Sequence, residues 1–344
     1  MAYVNSPSIV LAAHEVPTSE LAAAVEELDT RHLLDPDVRQ LALALGVQRR
    51  YFTRPLASVM QSCQASPERT IADVQQLGQR AVQQALEVEG LSIADLDGLI
   101  MYSTDSRVVR GLAEHLTQAL ALPRSLPLTA LADLGSAGGA QALSVATEDA
   151  RLGRRVLVVG AEAPSSALPR GRGADFKNWL LAKLLCSDSA AATLVSPDPH
   201  THPTVYIEDT WQWAGLDPDL LPPFPYRPET AHTFDGSPRA AQAINASVSH
   251  LCRSWKQADF GLIHPGSTKQ LDALAASGGF ADSILNPARV SLAEDGNAGG
   301  SGILNVLQRM CAAPPPVGSG GLLFASGPGF YAHAARLCWV GSRS

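Results

Sequence analysis

The sequence predicts an α/β fold built from two similar halves joined head to tail, each with a mainly parallel sheet covered by helices. Three observations predict it. Residues 131–146 (LADLGSAGGAQALSVA) and 292–307 (LAEDGNAGGSGILNVL) align without gaps and share eight identities in sixteen positions. GLI at 98–100 returns at 261–263, and VLVVGAE at 156–162 is echoed by GLLFASG at 321–327, so three segments repeat at offsets of 161, 163 and 165 residues. The apolar segments between helical stretches are continuous rather than alternating, as in strands buried on both faces. The halves are placed at 1–200 and 201–344.

Residues 17–45 carry helical spacing through Leu21, Val25, Leu28, Val38 and Leu41, with Thr18 or Ser19 as cap. A clearer amphipathic helix runs over 70–89. LDGLIMYST (96–104) reads as a buried strand, 109–121 as a helix, and LTALADLG (128–135) as an apolar segment ending at glycine. GGAQALSVATEDARLG (138–153) reads as a helix stopped by Gly153, RRVLVVGAE as a second strand and AAATLVS (190–196) as a third. The second half repeats the order: helix 238–257, strand FGLIHP, helix 267–275, strand RVSLAE, helix 299–311, strand GLLFAS. Segment 209–237 has neither period, is rich in Pro and aromatics, and reads as an inserted loop over a site.

The chain has 344 residues, 46% hydrophobic and 17% charged, which suffices for a large core. A net charge of −7 argues against nucleic acid as a partner. Five scattered cysteines without a C-x-x-C argue against a disulfide framework and a metal site. No basic leader and no run of eighteen apolar residues is present, so a soluble cytoplasmic protein is expected, with no membrane partner.

The repeat also locates the chemistry. Its two loops differ at the central residue, Ser136 in one copy and Asn297 in the other, and GLI is followed by Met101 in the first copy but His264 in the second. LGSAGG places Ser136 at a tight turn before a helix, where a side chain is exposed and free N–H groups lie near. A serine or asparagine there also serves as an N-cap, and a histidine ending a strand also serves structure. Pseudo-symmetry brings Ser136, His264 and Asn297 to one junction, which favours the functional reading. No cysteine is near that turn in sequence.

These residues lie within a set of motifs running in one order along the chain: RRYF (49–52), LADLGSAGGAQAL (131–143), RRVLVVGAE (154–162), LLCSDSAAATLVSPDP (184–199), FGLIHPG (260–266), LAEDGNAGGSGIL (292–304) and FASGPGF (324–330). On them the chain resembles the thiolase superfamily, and within it the chalcone synthase-like type III polyketide synthases and the ketoacyl synthase III proteins. The resemblance implies a five-layered αβαβα fold, a homodimer, and a catalytic set at Ser136, His264 and Asn297. In the family the position of Ser136 is a cysteine that carries the acyl chain. FASGPG is similar to the family's Gly-Phe-Gly-Pro-Gly loop, which places Ser326, Gly327, Pro328 and Gly329 at the cavity floor. Phe234 resembles its gate. Tyr206, Trp211, Trp213 and Thr104, with Ser103, Ser106, Phe224, Tyr226 and His232 nearby, are candidate lining residues. Arg49, Arg50 and Arg54 are a candidate landing patch for coenzyme A or an acidic carrier protein.

Oxygen in place of sulfur changes the expected chemistry. Serine must lose its proton during attack, so His264 would act as general base. An oxygen ester is also a weaker acceptor for carbon nucleophiles than a thioester. The leading expectation is therefore an acyltransferase of polyketide-type biosynthesis, which moves an acyl group from coenzyme A or acyl carrier protein through Ser136 to a small-molecule acceptor. No permanently bound cofactor is expected. The alternatives are a decarboxylating or condensing enzyme, which retention of Asn297 supports, and a non-catalytic partner subunit.

Overall fold

The structure is a computed structural model, and residues 1–28, 38–61, 67–132, 134–166, 174–214, 258–278, 280–327 and 331–341 are described. The first half contains β1 (Tyr3–Asn5), β2 (Ser8–Leu11), β3 (His14–Pro17), α1 (Thr18–Leu28), α2 (Val38–Ala44), β4 (Arg49–Phe52), α3 (Leu56–Gln61) and α4 (Pro67–Glu89). It continues with β5 (Gly98–Ser103), α5 (Ser106–Ala119), β6 (Leu128–Ala132), α6 (Gly138–Arg151), β7 (Val156–Glu162), α7 (Ala174–Leu185) and β8 (Ser189–Ser196). After residue 200 come β9 (Pro203–Ala214), β10 (Phe260–Ile263), α8 (Thr268–Gly278), α9 (Asp282–Asp295), α10 (Gly302–Ala312), β11 (Gly320–Ser326) and β12 (Tyr331–Trp339).

Among the described residues ten strands form one mixed sheet in the order β10-β11-β12-β9-β1-β8-β7-β5-β6, with β2 also on β8. The pairs β5–β6, β5–β7 and β10–β11 are parallel, which their long helical crossovers require. The short β1 joins the two halves, since Tyr3 pairs with Ser196 on β8 and with Tyr206 on β9. Helices α4 and α5 cover one face of β5, β7 and β8 with Val74, Leu77, Val82, Leu112 and Leu116. On the other face lie α6 and α10, which also touch β10, β11 and β12, so these two helices are a central layer between the halves. Beyond β10, α8 and α9 add Leu271, Leu274, Leu285 and Leu292 to the same core. This is the αβαβα order that the resemblance implies. Among the described residues no helix is long and apolar enough to cross a membrane.

Two sequence expectations are corrected. RVSLAE is not a strand: it is the end of α9, whose buried residues Ile284, Leu285, Ala288, Ser291, Leu292 and Asp295 follow a helical spacing while Val290 is exposed. Residues 209–214 are not loop but the end of β9, hydrogen-bonded along β12. The rest of the inserted region, the helix expected at 238–257, and Phe224, Tyr226, His232 and Phe234 lie outside the described residues.

Candidate active site

The parallel strands β5, β7, β10 and β11 all end on one edge of the sheet, at Ser103, Glu162, Ile263 and Ser326. At that edge two 3-10 turns, Gly135–Ala137 before α6 and Gly299–Ser301 before α10, pack against each other. The approach is close enough to demand glycine, since a Cβ on Gly139 would stand 2.1 Å from the Gly300 carbonyl oxygen. Equivalent glycines Gly135 and Gly296 both hold positive φ, at 51° and 72°. The symmetry then breaks. Ser136 lies inside its turn, whereas Asn297 lies before the second turn and pairs with Cys186 in an isolated parallel bridge.

Ser136 is half-buried, and its hydroxyl donates no hydrogen bond to any described residue. It does not cap α6, whose N-cap is Ala137 with no side-chain bond. Its turn packs on β11, where Leu134 and Gly327 meet so tightly that a Cβ on Gly327 would lie 2.1 Å from the Leu134 carbonyl oxygen. His264 directly follows β10, its backbone N–H donating to the Phe324 carbonyl at 2.9 Å. Its side chain is 1% exposed, and neither ring nitrogen has a partner among the described residues. Burial pushes its pKa down to about 3, so the imidazole is neutral. The hydrogen bond from Ser136 to His264 that general-base catalysis needs is not made here.

Asn297 ties the junction together. Its Nδ2 donates to the Gly266 carbonyl at 2.9 Å and its Oδ1 accepts from the Gly299 N–H at 2.9 Å. Its backbone is clamped by Leu185 and Ser187 on either side of Cys186. Among the described residues no acceptor is seen for its second Nδ2 hydrogen.

Sequence reasoning missed two members of this site. Glu162, at the end of β7, is buried and accepts from the Thr104 N–H at 3.0 and 3.1 Å, the Gly300 N–H at 3.3 Å and the Ser103 hydroxyl at 3.4 Å. Burial outweighs these bonds and raises its pKa to about 7. A lone carboxylate closing the otherwise apolar VLVVGAE was the available signal. Cys186 is the second: it is far from the Ser136 turn in sequence but pairs by a backbone bridge with Asn297, 111 residues away.

The other candidates divide. Thr104 is in the site through Glu162, and Ser326 accepts a hydrogen bond from Gln270 at 3.0 Å beside Gly327. Trp213, opposite Ala332 at the start of β12, and Trp211 lie toward the site end of β9. Tyr206 does not: it pairs with Cys338 at the far end of β12 and stacks near Tyr3 at 5.4 Å. Its seven-residue separation from Trp213 along the strand is about 23 Å. Pro328 and Gly329 lie outside the described residues. The arginine patch loses one member. Arg50 is 0% exposed, donating to the Thr18 hydroxyl at 2.9 Å and the Leu184 carbonyl at 2.8 Å, and so cannot meet a phosphate at the surface. Arg54 is paired with Asp73 at 3.1 Å, and Arg49 is held by the Glu294 carbonyl at 3.1 Å.

Residues 54–199 match the N-terminal domain of chalcone and stilbene synthases. Across 97% of its length the chain is 25% identical to the phloroglucinol synthase of Pseudomonas fluorescens, covering 98% of that protein. Germicidin synthase of Streptomyces coelicolor, a type III polyketide synthase, superposes with a TM-score of 0.83 at 25% identity, over 98% of this chain and 99% of that one. The tetrahydroxynaphthalene synthase of the same organism gives 0.84 over 99% and 100% of the two chains; at 21% identity it shows the fold alone. The fold and its junction of two helix-capped turns therefore define a thiolase-superfamily protein. Within that superfamily the chain resembles the type III polyketide synthases.

Proposed function

We propose that this enzyme decarboxylates a malonyl-type thioester and joins the resulting enolate to an acyl group. The observation that carries this reading is the neutral His264 imidazole, buried with neither ring nitrogen partnered among the described residues, two residues from Gly266, whose carbonyl accepts from the Asn297 amide. A neutral imidazole and a carboxamide are hydrogen-bond donors suited to a thioester carbonyl as it gains negative charge. The bond between the α-carbon and the carboxylate breaks, carbon dioxide leaves, and the electron pair is held as the enolate whose oxygen accepts from His264 and Asn297. The enolate carbon then attacks the carbonyl of the acyl group, forming the new bond and expelling its oxygen or sulfur carrier, which takes a proton.

This departs from the expected acyltransferase. An imidazole whose pKa lies near 3 is a feeble base for a serine hydroxyl, and no Ser136–His264 bond is made. The similarity to phloroglucinol and germicidin synthases supports condensation instead. Transfer through an ester on Ser136 keeps one point in its favour, the half-buried hydroxyl that does not cap α6 and has no partner among the described residues. The donor is proposed to be a coenzyme A or carrier-protein thioester and the product a polyketide-type small molecule. A homodimer is proposed as well, because β6, which leads to Ser136, is a sheet edge with one neighbour among the described residues.

Carbon dioxide release from malonyl-CoA tests the reading. Removing one oxyanion donor costs roughly 10²–10³ in rate, so His264→Ala and Asn297→Ala should each lose that much. Undiminished release in His264→Ala would overturn it.

A further inference from the structure

Ser136 leaves the condensation with a difficulty: the acyl group needs a carrier that keeps it electrophilic, and an oxygen ester does so poorly. The site contains a thiol that the sequence does not advertise. Cys186 pairs with Asn297 in the parallel bridge, with Asn297 N–H donating to the Leu185 carbonyl and Ser187 N–H to the Asn297 carbonyl, both at 2.9 Å. Partners in a parallel bridge send their side chains from the same face, with Cβ atoms about 5 Å apart. The Cys186 side chain packs in the central apolar cluster with Tyr102 and Ile263, whereas Leu180 and Leu184 of α7 pack in a different cluster. It is thus a neighbour of the Asn297 carboxamide, which in turn anchors Gly266, two residues from the unpartnered His264 ring.

A second buried group precedes it on α7. Lys183 is one helical turn before Cys186, on the same side of the α7 end, which Cys186 continues by donating to the Ala182 carbonyl at 2.8 Å. Its side-chain nitrogen is buried, without a hydrogen-bond partner among the described residues, 5.5 Å from the Trp179 ring centre. We propose that Cys186, with Lys183 as its proton acceptor, is the acyl-accepting group of this site in place of the serine at the usual position. The proposal rests on the thioester-processing reading above.

The step balances without an outside reagent. Lys183 Nζ takes the thiol proton while Cys186 Sγ bonds to the carbonyl carbon of the acyl donor. The donor's carbon–sulfur bond breaks, and the departing thiolate recovers the proton from Nζ. The product is a thioester on Cys186, beside Asn297. Burial sets the resting state: it pushes the thiol up to about 12 and the Lys183 amine down to about 7, so at mildly alkaline pH a protonated thiol stands near a neutral amine. Asp188 also raises the thiol, Lys183 and Arg50 lower it, and Glu162 adds a further upward push.

The test is intact-mass and peptide mapping after incubation with acetyl-, hexanoyl- and benzoyl-CoA. Wild type, Ser136→Ala, Cys186→Ala and Cys186→Ser are compared, with thermal melting confirming that each is folded. The expected result is an adduct on the peptide containing Cys186, released by neutral hydroxylamine, retained in Ser136→Ala and lost from Cys186→Ala. Cys186→Ser, if Cys186→Ala does not fold, should lose the hydroxylamine-labile adduct likewise. An adduct on Ser136, an adduct surviving in the Cys186 variants, or no adduct from any donor overturns the proposal. Carbon dioxide release separates the two claims. If His264→Ala abolishes it while the acyl group sits on Ser136, decarboxylation stands and the thiol's role falls. If His264→Ala retains it, the decarboxylation reading itself fails.

Discussion

Glu162 is the buried carboxylate on which the two halves of the site converge, since it accepts from Thr104 of the first half and Gly300 of the second. Its folded pKa is raised to about 7 against an ordinary value of 4.5. The native state therefore binds more protons than the unfolded chain between those values. Its contribution is fully present below pH 4.5 and is lost as pH rises toward 7, a loss of about 3 kcal/mol. Denaturant unfolding of wild type and Glu162→Gln across pH 4.5–7.5 should show their difference growing against the wild type with rising pH. A constant difference would mean that the carboxyl is ionised throughout. His264 shifts the opposite way and adds stability as pH rises from 3 to 6.5, so the comparison with the variant, not the wild-type curve alone, isolates Glu162.

At the scale of elements, the junction depends on turns too crowded for side chains. A Cβ on Gly139 meets the Gly300 carbonyl carbon and oxygen, backbone atoms that cannot rotate away. Gly139→Ala should lose about 1–3 kcal/mol in chemical denaturation, as overpacking does, and should lose condensing activity with it. Full stability in that variant would show that the two turns do not need this contact. The repeat made much of this legible. Strands β5, β7, β8 and β11 are continuous apolar runs because both faces are covered, and the Gly-x-Ala-Gly-Gly loops marked Ser136 and Asn297. Symmetry misled at α9, because a short apolar run such as RVSLAE fits either period and only the core it packs on selects the helix. β12 was missed for the converse reason, since His333 and Arg336 interrupt an alanine-rich segment that becomes a strand through pairing on both sides. Cys186 was invisible because its partner lies 111 residues away and no local pattern encodes a bridge.

At the scale of the whole molecule, one sheet carries both halves and ends at β6, where Leu128 is 44% exposed. An edge left unpaired among the described residues, with an exposed apolar side chain, templates pairing with another chain, and the proposed homodimer would place a second copy there. Light scattering should give twice the chain mass, and Leu128→Lys should shift it toward one; an unchanged dimer would place the interface elsewhere. The sheet edge that gathers His264, Asn297, Glu162 and Cys186 rests on a single physical condition, an imidazole kept neutral by burial so that it donates rather than abstracts. Carbon dioxide release from malonyl-CoA by His264→Gln, set beside His264→Ala, tests that condition most directly, because glutamine can donate a hydrogen bond but cannot serve as a base. The account predicts that His264→Gln releases carbon dioxide well above the alanine variant. A glutamine variant as inactive as the alanine one would contradict it.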